Sequence, residues 1–149
     1  MVTAASVISF VERLEDQPTA FYKGLAERYP EGRDAFREFA ESGQKDKRAI
    51  VRTYRETVSD ALETGFSFRG LDLNAYETDT HLAEDAGIDE ALGKALALEQ
   101  RAAAFYRDVA ERSRSLLATI PMAFRSAAKR RERRKAILRK MQEARSGRV

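Results

Sequence analysis

Two stretches of the chain decide its fold: Leu14–Arg28 reads LEDQPTAFYKGLAER, and Leu98–Arg112 reads LEQRAAAFYRDVAER. The second repeats the first at an offset of 84 residues. In each copy the apolar residues recur with helical spacing, and one glutamate, Glu15 or Glu99, lies within about 60° of that stripe on a helical wheel. An unpaired carboxylate is costly to bury, so each glutamate needs a metal ion, a cation or a proton as its partner.

The composition of the chain bounds its class. Its 149 residues, 43% of them apolar, are enough for one domain with a single hydrophobic core. The absence of cysteine excludes disulfides, thiolate metal sites and a cysteine nucleophile, and it fits a reducing compartment. No basic segment followed by an apolar run opens the chain, and no stretch approaches the ~20 apolar residues of a membrane span. We therefore expect a soluble cytoplasmic protein with no membrane partner.

Positive charge is concentrated near the C-terminus. The whole chain carries +3, yet residues 122–149 hold eleven Lys and Arg against two Glu, while the preceding residues hold sixteen basic and twenty-two acidic groups. Such a segment suggests nucleic-acid binding. However, no recognition motif accompanies it, and no aromatic residue is interleaved from Arg125 onward. We therefore favour a helix face that is solvated or paired with the acidic helices of the same protein.

The hydrophobic periodicity predicts four helices, at about residues 4–29, 33–63, 89–113 and 120–144. Residues from about 64 to 88 show no sustained period and are too many for a tight turn, so they predict a crossover along a bundle. Residues 145–149 are expected to fray. At an offset of 88 residues, Phe36, Ala40 and Ile50 of the second helix have counterparts in Phe124, Ala128 and Leu138 of the fourth. The chain is therefore predicted to be one all-α domain, residues 1–149, with two helical hairpins joined by a long crossover.

The repeated motif is a glutamate, then Phe-Tyr six residues later, then (Leu/Val)-Ala-Glu-Arg, and it resembles the rubrerythrin-like branch of the ferritin-like superfamily. It occurs as Glu15 with Phe21-Tyr22 and as Glu99 with Phe105-Tyr106. The resemblance implies a ferritin-like four-helix bundle and a homodimer. It also implies a di-iron centre for peroxide, oxygen or iron-oxidation chemistry, held by these glutamates and by a Glu-x-x-His motif on the second helix of each half.

The second half of that pattern is missing from this chain. Alignment of the apolar-Ala pairs places Gly43 and Asp46 at the Glu and His positions of the second helix, and Arg131 and Arg134 at those of the fourth. Arginine stays protonated and offers no lone pair, so it does not ligate a metal. The only histidine, His81, falls in the crossover, and we expect no catalytic role for it. We therefore expect a degenerate site and no bound cofactor.

The residues leave three interpretations of Glu15 and Glu99 open: boundary positions on solvated faces, internal ion pairs, or metal ligands. We favour ion pairing, because Arg131 shares the inward arc of the fourth helix and its guanidinium can bridge two carboxylates through bidentate hydrogen bonds. In this interpretation Arg131 lies where the family holds iron. Arg134 forms a second pair with Asp46.

Four further residues surround these positions. Tyr22 and Tyr106 are expected to pack in the core and to donate hydrogen bonds to the carboxylates, whereas a redox role for them would need a metal. Lys47 and Lys135 directly follow Asp46 and Arg134, and they are substitute cations for the network. The sequence contains no nucleophile–base pair, phosphate-binding loop or zinc-ligand spacing, so we expect no catalytic residue.

The expected function is a non-catalytic structural, interaction or regulatory role, in a homodimer or with a protein partner that the sequence does not identify. One alternative is a metal-binding oxidoreductase of peroxide or oxygen chemistry, in which Glu15, Glu99 and Asp46 hold iron or another divalent ion. A second alternative is nucleic-acid binding through the basic C-terminal helix.

Overall fold

The computed structural model describes residues 4–57, 71–113 and 119–146. Within these ranges the chain forms four α-helices and two short 3-10 helices, and no β-strand. The α-helices are α1 (Ala4–Arg28), α2 (Arg33–Thr57), α3 (Ile88–Ser113) and α4 (Thr119–Ser146). The predicted all-α four-helix bundle is confirmed. None of these four helices is both long enough and apolar enough to cross a membrane.

The turn between α1 and α2 is a 3-10 helix, Pro30–Gly32. Tyr29 precedes a proline, which disfavours helical backbone, and its φ and ψ are −124° and 94°. α1 therefore ends before Tyr29. Gly32 is required in this turn, because a Cβ at its position would lie 2.6 Å from Cε2 of Phe36.

Two apolar clusters, one at each end of the bundle, fix the directions of the helices. The first apolar cluster joins the start of α1, the end of α2, the end of α3 and the start of α4, with members such as Val11, Ile50, Phe105 and Phe124. The second apolar cluster joins the opposite ends, with members such as Leu25, Phe36, Leu92 and Leu138. α1 and α4 therefore run in one direction, and α2 and α3 run in the other.

Residues 71–87, which precede α3, lie along the bundle. Their 3-10 helix, Leu73–Tyr76, packs against the first apolar cluster, whereas Leu82 packs against the second. The segment is then tied to the end of α1, because Tyr29 donates its hydroxyl hydrogen to the carbonyl oxygen of Ala86 at 2.6 Å. It thus passes from one end of the bundle to the other.

The observed helix bounds differ from the predicted ones by a few residues. α3 and α4 each begin one residue earlier. α4 also continues through Arg145 and Ser146, for which the sequence predicts fraying. The reason is an ion pair: Nε of Arg145 donates to Oδ1 of Asp89 at 2.6 Å and ties the last turn of α4 to the first turn of α3. Parts of three predicted segments lie outside the described ranges: residues 58–63, 64–70 and 147–149.

Between the two apolar clusters lies a layer of buried polar side chains. Its members are Glu15, Thr19, Asp46, Glu99, Arg131 and Arg134. The repeated tyrosines border this layer and are fully buried. Tyr22 packs against Phe39 at a ring-centroid distance of 5.2 Å, and Tyr106 packs against Phe124 at 6.0 Å. The bundle therefore has two hydrophobic ends and a charged middle.

Candidate functional site: a buried guanidinium network

The guanidinium of Arg131 joins the two repeated glutamates in the middle of the bundle. Its Nη1 donates to both carboxylate oxygens of Glu99, each at 2.9 Å, and its Nη2 donates to Oε1 of Glu15. The side chain of Arg131 is 1% exposed, and those of both glutamates are 0% exposed. Because α1, α3 and α4 each contribute one of these residues, a single cation ties three helices together.

The repeated tyrosines bind the glutamates crosswise. Tyr22 donates to Oε1 of Glu99, and Tyr106 donates to Oε1 of Glu15, both at 2.6 Å. Each tyrosine thus contacts the glutamate of the other hairpin. Burial, followed by the charge of the neighbouring carboxylate, raises the pKa of each tyrosine well above its ordinary value of 10.0, so both hydroxyls stay protonated and donate.

Arg134 extends these contacts toward the surface. Its Nη1 lies 3.6 Å from Oε1 of Glu99, and its Nη2 lies 3.2 Å from Oδ2 of Asp46. The same Nη2 donates to Oγ of Ser42 at 2.5 Å. At the outer end, Nε of Arg130 lies 2.5 Å from Oδ1 of Asp46. Arg134 therefore connects Glu99 of α3 to Asp46 of α2.

Acidic and basic side chains alternate along what we name the guanidinium network. From the core outward its six members are Glu15, Arg131, Glu99, Arg134, Asp46 and Arg130. Three carboxylates balance three guanidinium groups, so the formal charges of the network sum to zero. Such a balance is needed because an unpaired charge in the low-dielectric interior is strongly unfavourable. The outer end reaches solvent, since the side chain of Arg130 is 32% exposed.

Glu15 is incompletely paired within the network. Burial raises its pKa above 4.5, and Arg131 and Tyr106, which favour the carboxylate, offset that effect only in part. Its Oε2 has no hydrogen-bond partner among the described residues, and neither has Nε of Arg131. Burial by itself would lower the pKa of Arg131, but the two glutamates raise it well above its ordinary value, so the guanidinium stays charged.

Gly43 makes room for this geometry. A Cβ at its position would lie 3.1 Å from Oγ1 of Thr19 and 3.4 Å from Oε2 of Glu15. Thr19 is itself held in place, because its hydroxyl donates to the carbonyl oxygen of Glu15 at 2.7 Å and accepts from Nε2 of Gln44 at 3.0 Å. α2 therefore faces the Glu15 carboxylate with bare backbone, where α4 presents the long side chain of Arg131.

The structure brings some of the predicted site residues together and leaves others outside the network. The glutamates, the tyrosines, the two arginines and Asp46 come together as described above. The interpretation of Lys47 and Lys135 as substitute cations is wrong, because Lys47 pairs with Asp16 at 2.7 Å and Lys135 pairs with Glu132 at 3.2 Å, both outside the network. His81 is exposed in the crossover and is likewise outside the network.

Three polar residues of the site were missed by the sequence analysis. Arg130 lies one turn before Arg134 on α4, and this i, i+4 spacing is a signal that the two share one carboxylate partner. Thr19 and Ser42 bind the network through single hydroxyl groups. Isolated hydroxyl residues carry no periodic pattern, so the sequence offers no signal for them.

The residues present do not fit the di-iron centre that the resemblance implies. Within residues 4–57, 71–113 and 119–146, no three His, Cys, Asp or Glu side chains are grouped so that they would hold a metal ion. Asp46 is separated from Glu99 by the guanidinium of Arg134. Arg131 and the two tyrosines already donate to three of the four carboxylate oxygens of the glutamates. A divalent cation would also be repelled by the guanidinium beside it.

No family model matches the chain, and neither a curated protein nor a solved structure matches it. The function is therefore inferred from the chemistry of its own side chains. That chemistry is ion pairing and hydrogen bonding between helices, by carboxylates that are wholly buried.

Proposed function

We propose that this protein is a rubrerythrin-like member of the ferritin-like superfamily in which the guanidinium network has replaced the di-iron centre, and that its role is non-catalytic: structural, interacting or regulatory. The observation that carries the proposal is the position of Arg131, whose guanidinium lies between the two glutamates of the repeated motif and donates to both. A cation in this place neutralises the carboxylates as a metal ion does. It offers no open coordination position at which oxygen or peroxide reacts.

The replaced ligand positions complement one another, which supports the proposal. At the offset of 88 residues, Gly43 corresponds to Arg131, and Asp46 corresponds to Arg134. The long side chain of Arg131 reaches the Glu15 carboxylate, which Gly43 faces without a side chain. Arg134 meets the acidic Asp46 at 3.2 Å. The two halves of the site thus match in size and in charge, as a site built around guanidinium groups requires.

The network suits a structural role because of what it connects. Arg131 joins α1, α3 and α4, and Arg134 joins α3 and α4 to α2. A buried ion network need not add net stability, but each charge is satisfied only when all its partners are in place. Under this proposal the network selects one pairing of the two hairpins and holds a rigid scaffold on which an interaction surface can be presented.

Metal content tests the proposal. The chain is expressed in iron-supplemented medium and purified without chelator, and its iron and absorption spectrum are measured. We expect only traces of iron and no absorbance from an oxo-bridged centre. About two irons per chain with that absorbance would favour the alternative, a metal-binding oxidoreductase that uses Glu15, Glu99 and Asp46, and would overturn the proposal.

A variant that restores ligands tests the family assignment separately. Arg131→Glu combined with Arg134→His puts a Glu-x-x-His pattern on the buried side of α4, next to Glu15 and Glu99, and the folded variant is expected to bind Co²⁺. The matched control, Arg133→Glu with Ala136→His, puts the same pattern on exposed positions of α4. Co²⁺ binding is measured by visible absorption. Equal binding by the two folded variants would contradict the family assignment.

The same resemblance leads us to propose a cytoplasmic homodimer. Sedimentation velocity at micromolar protein concentration is expected to give the mass of two chains. A single-chain mass across the accessible concentration range would remove the dimer from the proposal and leave the network, which lies within one chain, unaffected.

A further inference from the structure

The cations of α2 and α4 divide into two sets. One set is used inside the protein, in the guanidinium network and in pairs such as Lys47 with Asp16. The other set is exposed: Lys45, Arg48 and Arg52 on α2, and Arg125, Lys129 and Arg133 on α4. Among the described residues, none of these six side chains makes an ion pair or a hydrogen bond. We name these six residues the basic face.

Each half of the basic face follows one side of its helix. On α2 the three cations have the spacing i, i+3, i+7, and on α4 they have the spacing i, i+4, i+8, so each trio lies in one row. Both rows lie opposite the buried residues of their helices, which include Gly43 and Ile50 on α2 and Arg131 on α4. The cations therefore point to solvent along the length of each row.

The two rows are neighbours because α2 and α4 pack side by side. Arg130 and Arg134 of α4 both contact Asp46 of α2, and residues of both helices, among them Phe39 and Ile137, line a shared groove. This antiparallel register sets Lys45 level with Arg130 and the C-terminal part of α2 level with the first turns of α4. The six cations thus cover one end of the α2–α4 side of the bundle.

Between the first and the last cation of each row, every described acidic side chain already has a partner, and Asp46 is bound by Arg130 and Arg134. Among the described side chains of α2, the exposed acids are Asp34, Glu38 and Glu41, and all three precede Lys45. Of these, Glu38 lines the shared groove together with Arg133. On α4, Glu143 lies toward the opposite end, and Glu132 is engaged by Arg107 at 2.5 Å and by Lys135 at 3.2 Å. Within the described parts of α2 and α4, the basic face is therefore a local excess of positive charge.

We infer that the basic face binds the phosphate backbone of double-stranded nucleic acid without reading its sequence. Four of the six cations are arginines, whose planar guanidinium pairs with phosphate through two hydrogen bonds. The α4 row spans about 12 Å at 1.5 Å per residue, and duplex DNA presents a charge about every 1.7 Å along its axis. Several phosphates therefore fall within reach of one row.

The side chains around the basic face select this partner over two others. Single-stranded nucleic acid is held largely by stacking on exposed aromatic rings, and every described aromatic side chain of α2 and α4 is buried. Insertion into a membrane surface needs a row of large apolar side chains beside the cations. Among the described residues only Met122 and Ile137 are exposed large hydrophobic residues, and they do not form such a row. A charged surface that has no exposed rings for base stacking and no apolar row for membrane insertion fits a duplex backbone.

Salt-dependent binding to DNA tests the inference. The full chain is titrated into a labelled random-sequence duplex and followed by fluorescence anisotropy at several salt concentrations. Each phosphate contact contributes about −0.9 to the slope of log K against log salt. The triple variant Lys45→Gln, Lys129→Gln, Arg133→Gln is therefore expected to reduce the slope by about 2.7 and to weaken binding at low salt at least about tenfold.

A matched triple variant removes the same net charge elsewhere. Lys23, Arg37 and Arg139 are exposed cations on three different helices that make no ion pair among the described residues. Their replacement by Gln is expected to leave the affinity within about threefold and the slope nearly unchanged. Equal losses in the two triple variants, or no binding by the parent chain at low salt, would overturn the inference. Tighter binding to vesicles of anionic phospholipid than to DNA, lost in the first triple variant, would assign the face to a membrane instead.

Discussion

Tyr22 of the first hairpin donates its hydroxyl hydrogen to Glu99 of the second across 2.6 Å, and both side chains are fully buried. Tyr106 repeats the contact in the opposite direction, onto Glu15, at the same distance. The two copies of the sequence repeat are thus joined by a pair of reciprocal hydrogen bonds, and the guanidinium of Arg131 lies between the two glutamates. Removal of that cation would leave two carboxylates close together in a low-dielectric interior, so its effect on stability is large and measurable.

Arg131→Ala is expected to lower the free energy of unfolding by about 3–5 kcal/mol, because it leaves buried carboxylates without their counter-charge. Urea denaturation at neutral pH measures the change. Arg133→Ala is the matched control: the residue is exposed on the same helix and makes no ion pair among the described residues, so a change within about 0.5 kcal/mol is expected. If Arg131→Ala were as stable as the control, removal of this cation would leave no unbalanced charge in the core.

Neutralising Arg131 together with both of its glutamates is expected to cost less than removing Arg131 alone. The triple variant Arg131→Met, Glu15→Gln, Glu99→Gln keeps similar volumes and removes the three fully buried charges, while Arg134 and Arg130 keep their partner Asp46. Replacements of this kind in other buried ion networks are often neutral or stabilising. We expect its free energy of unfolding to lie above that of Arg131→Ala by at least about 2 kcal/mol. Equal destabilisation of the two variants would point to lost packing volume as the cause, and not to charge.

Much of the site follows from helical periodicity. Glu15 and Glu99 lie at the same position in two copies of one motif, and Arg131 shares the inward side of α4 with the apolar residues around it. Residues on the inner faces of a four-helix bundle meet at its axis, so a pairing between these three can be predicted before any coordinates exist.

Periodicity identifies the face of a helix and not the neighbour that the face meets. Lys47 follows Asp46 directly in the sequence, yet it reaches Asp16 of α1, because the bundle places α1 on that side of α2 and α4 on the other. Asp46 instead takes two partners from α4, Arg130 and Arg134. The choice depends on helix order and register across loops, which no local pattern specifies.

Gly43→Ala is expected to stabilise the protein less than Gly93→Ala does, and to destabilise it if the neighbours do not move. Alanine favours a helix over glycine by about 1 kcal/mol, and a Cβ at Gly93 of α3 meets nothing within 4 Å. At Gly43 the new methyl lies 3.1 Å from Oγ1 of Thr19, a hydroxyl that hydrogen bonds hold on two sides. Thermal unfolding of both variants provides the comparison; an equal gain in Tm would mean that the space beside Glu15 is open.

The buried tyrosines predict a loss of stability at alkaline pH. The folded-state pKa of Tyr22 and of Tyr106 lies well above 10.0, the value of an unfolded tyrosine. Below pH 10 both states keep these protons, and the stability from this source is fully present. Above pH 10 the unfolded chain loses them while the folded chain does not, so the free energy of unfolding falls by about 1.4 kcal/mol per pH unit for each tyrosine.

Replacing both residues by phenylalanine is therefore expected to flatten the pH dependence above 10 by about 2.7 kcal/mol per pH unit, even though the loss of two hydrogen bonds lowers stability at neutral pH. Urea denaturation from pH 8 to 11 measures the slope. Tyr76 is the control: burial and its hydrogen bond to Asp108 raise its pKa to about 12, but the residue is partly exposed and solvent weakens the effect. Tyr76→Phe should flatten the slope less than either core substitution. A double variant with the parent's slope would show that phenols at the centre of the bundle ionise as readily as those in the unfolded chain.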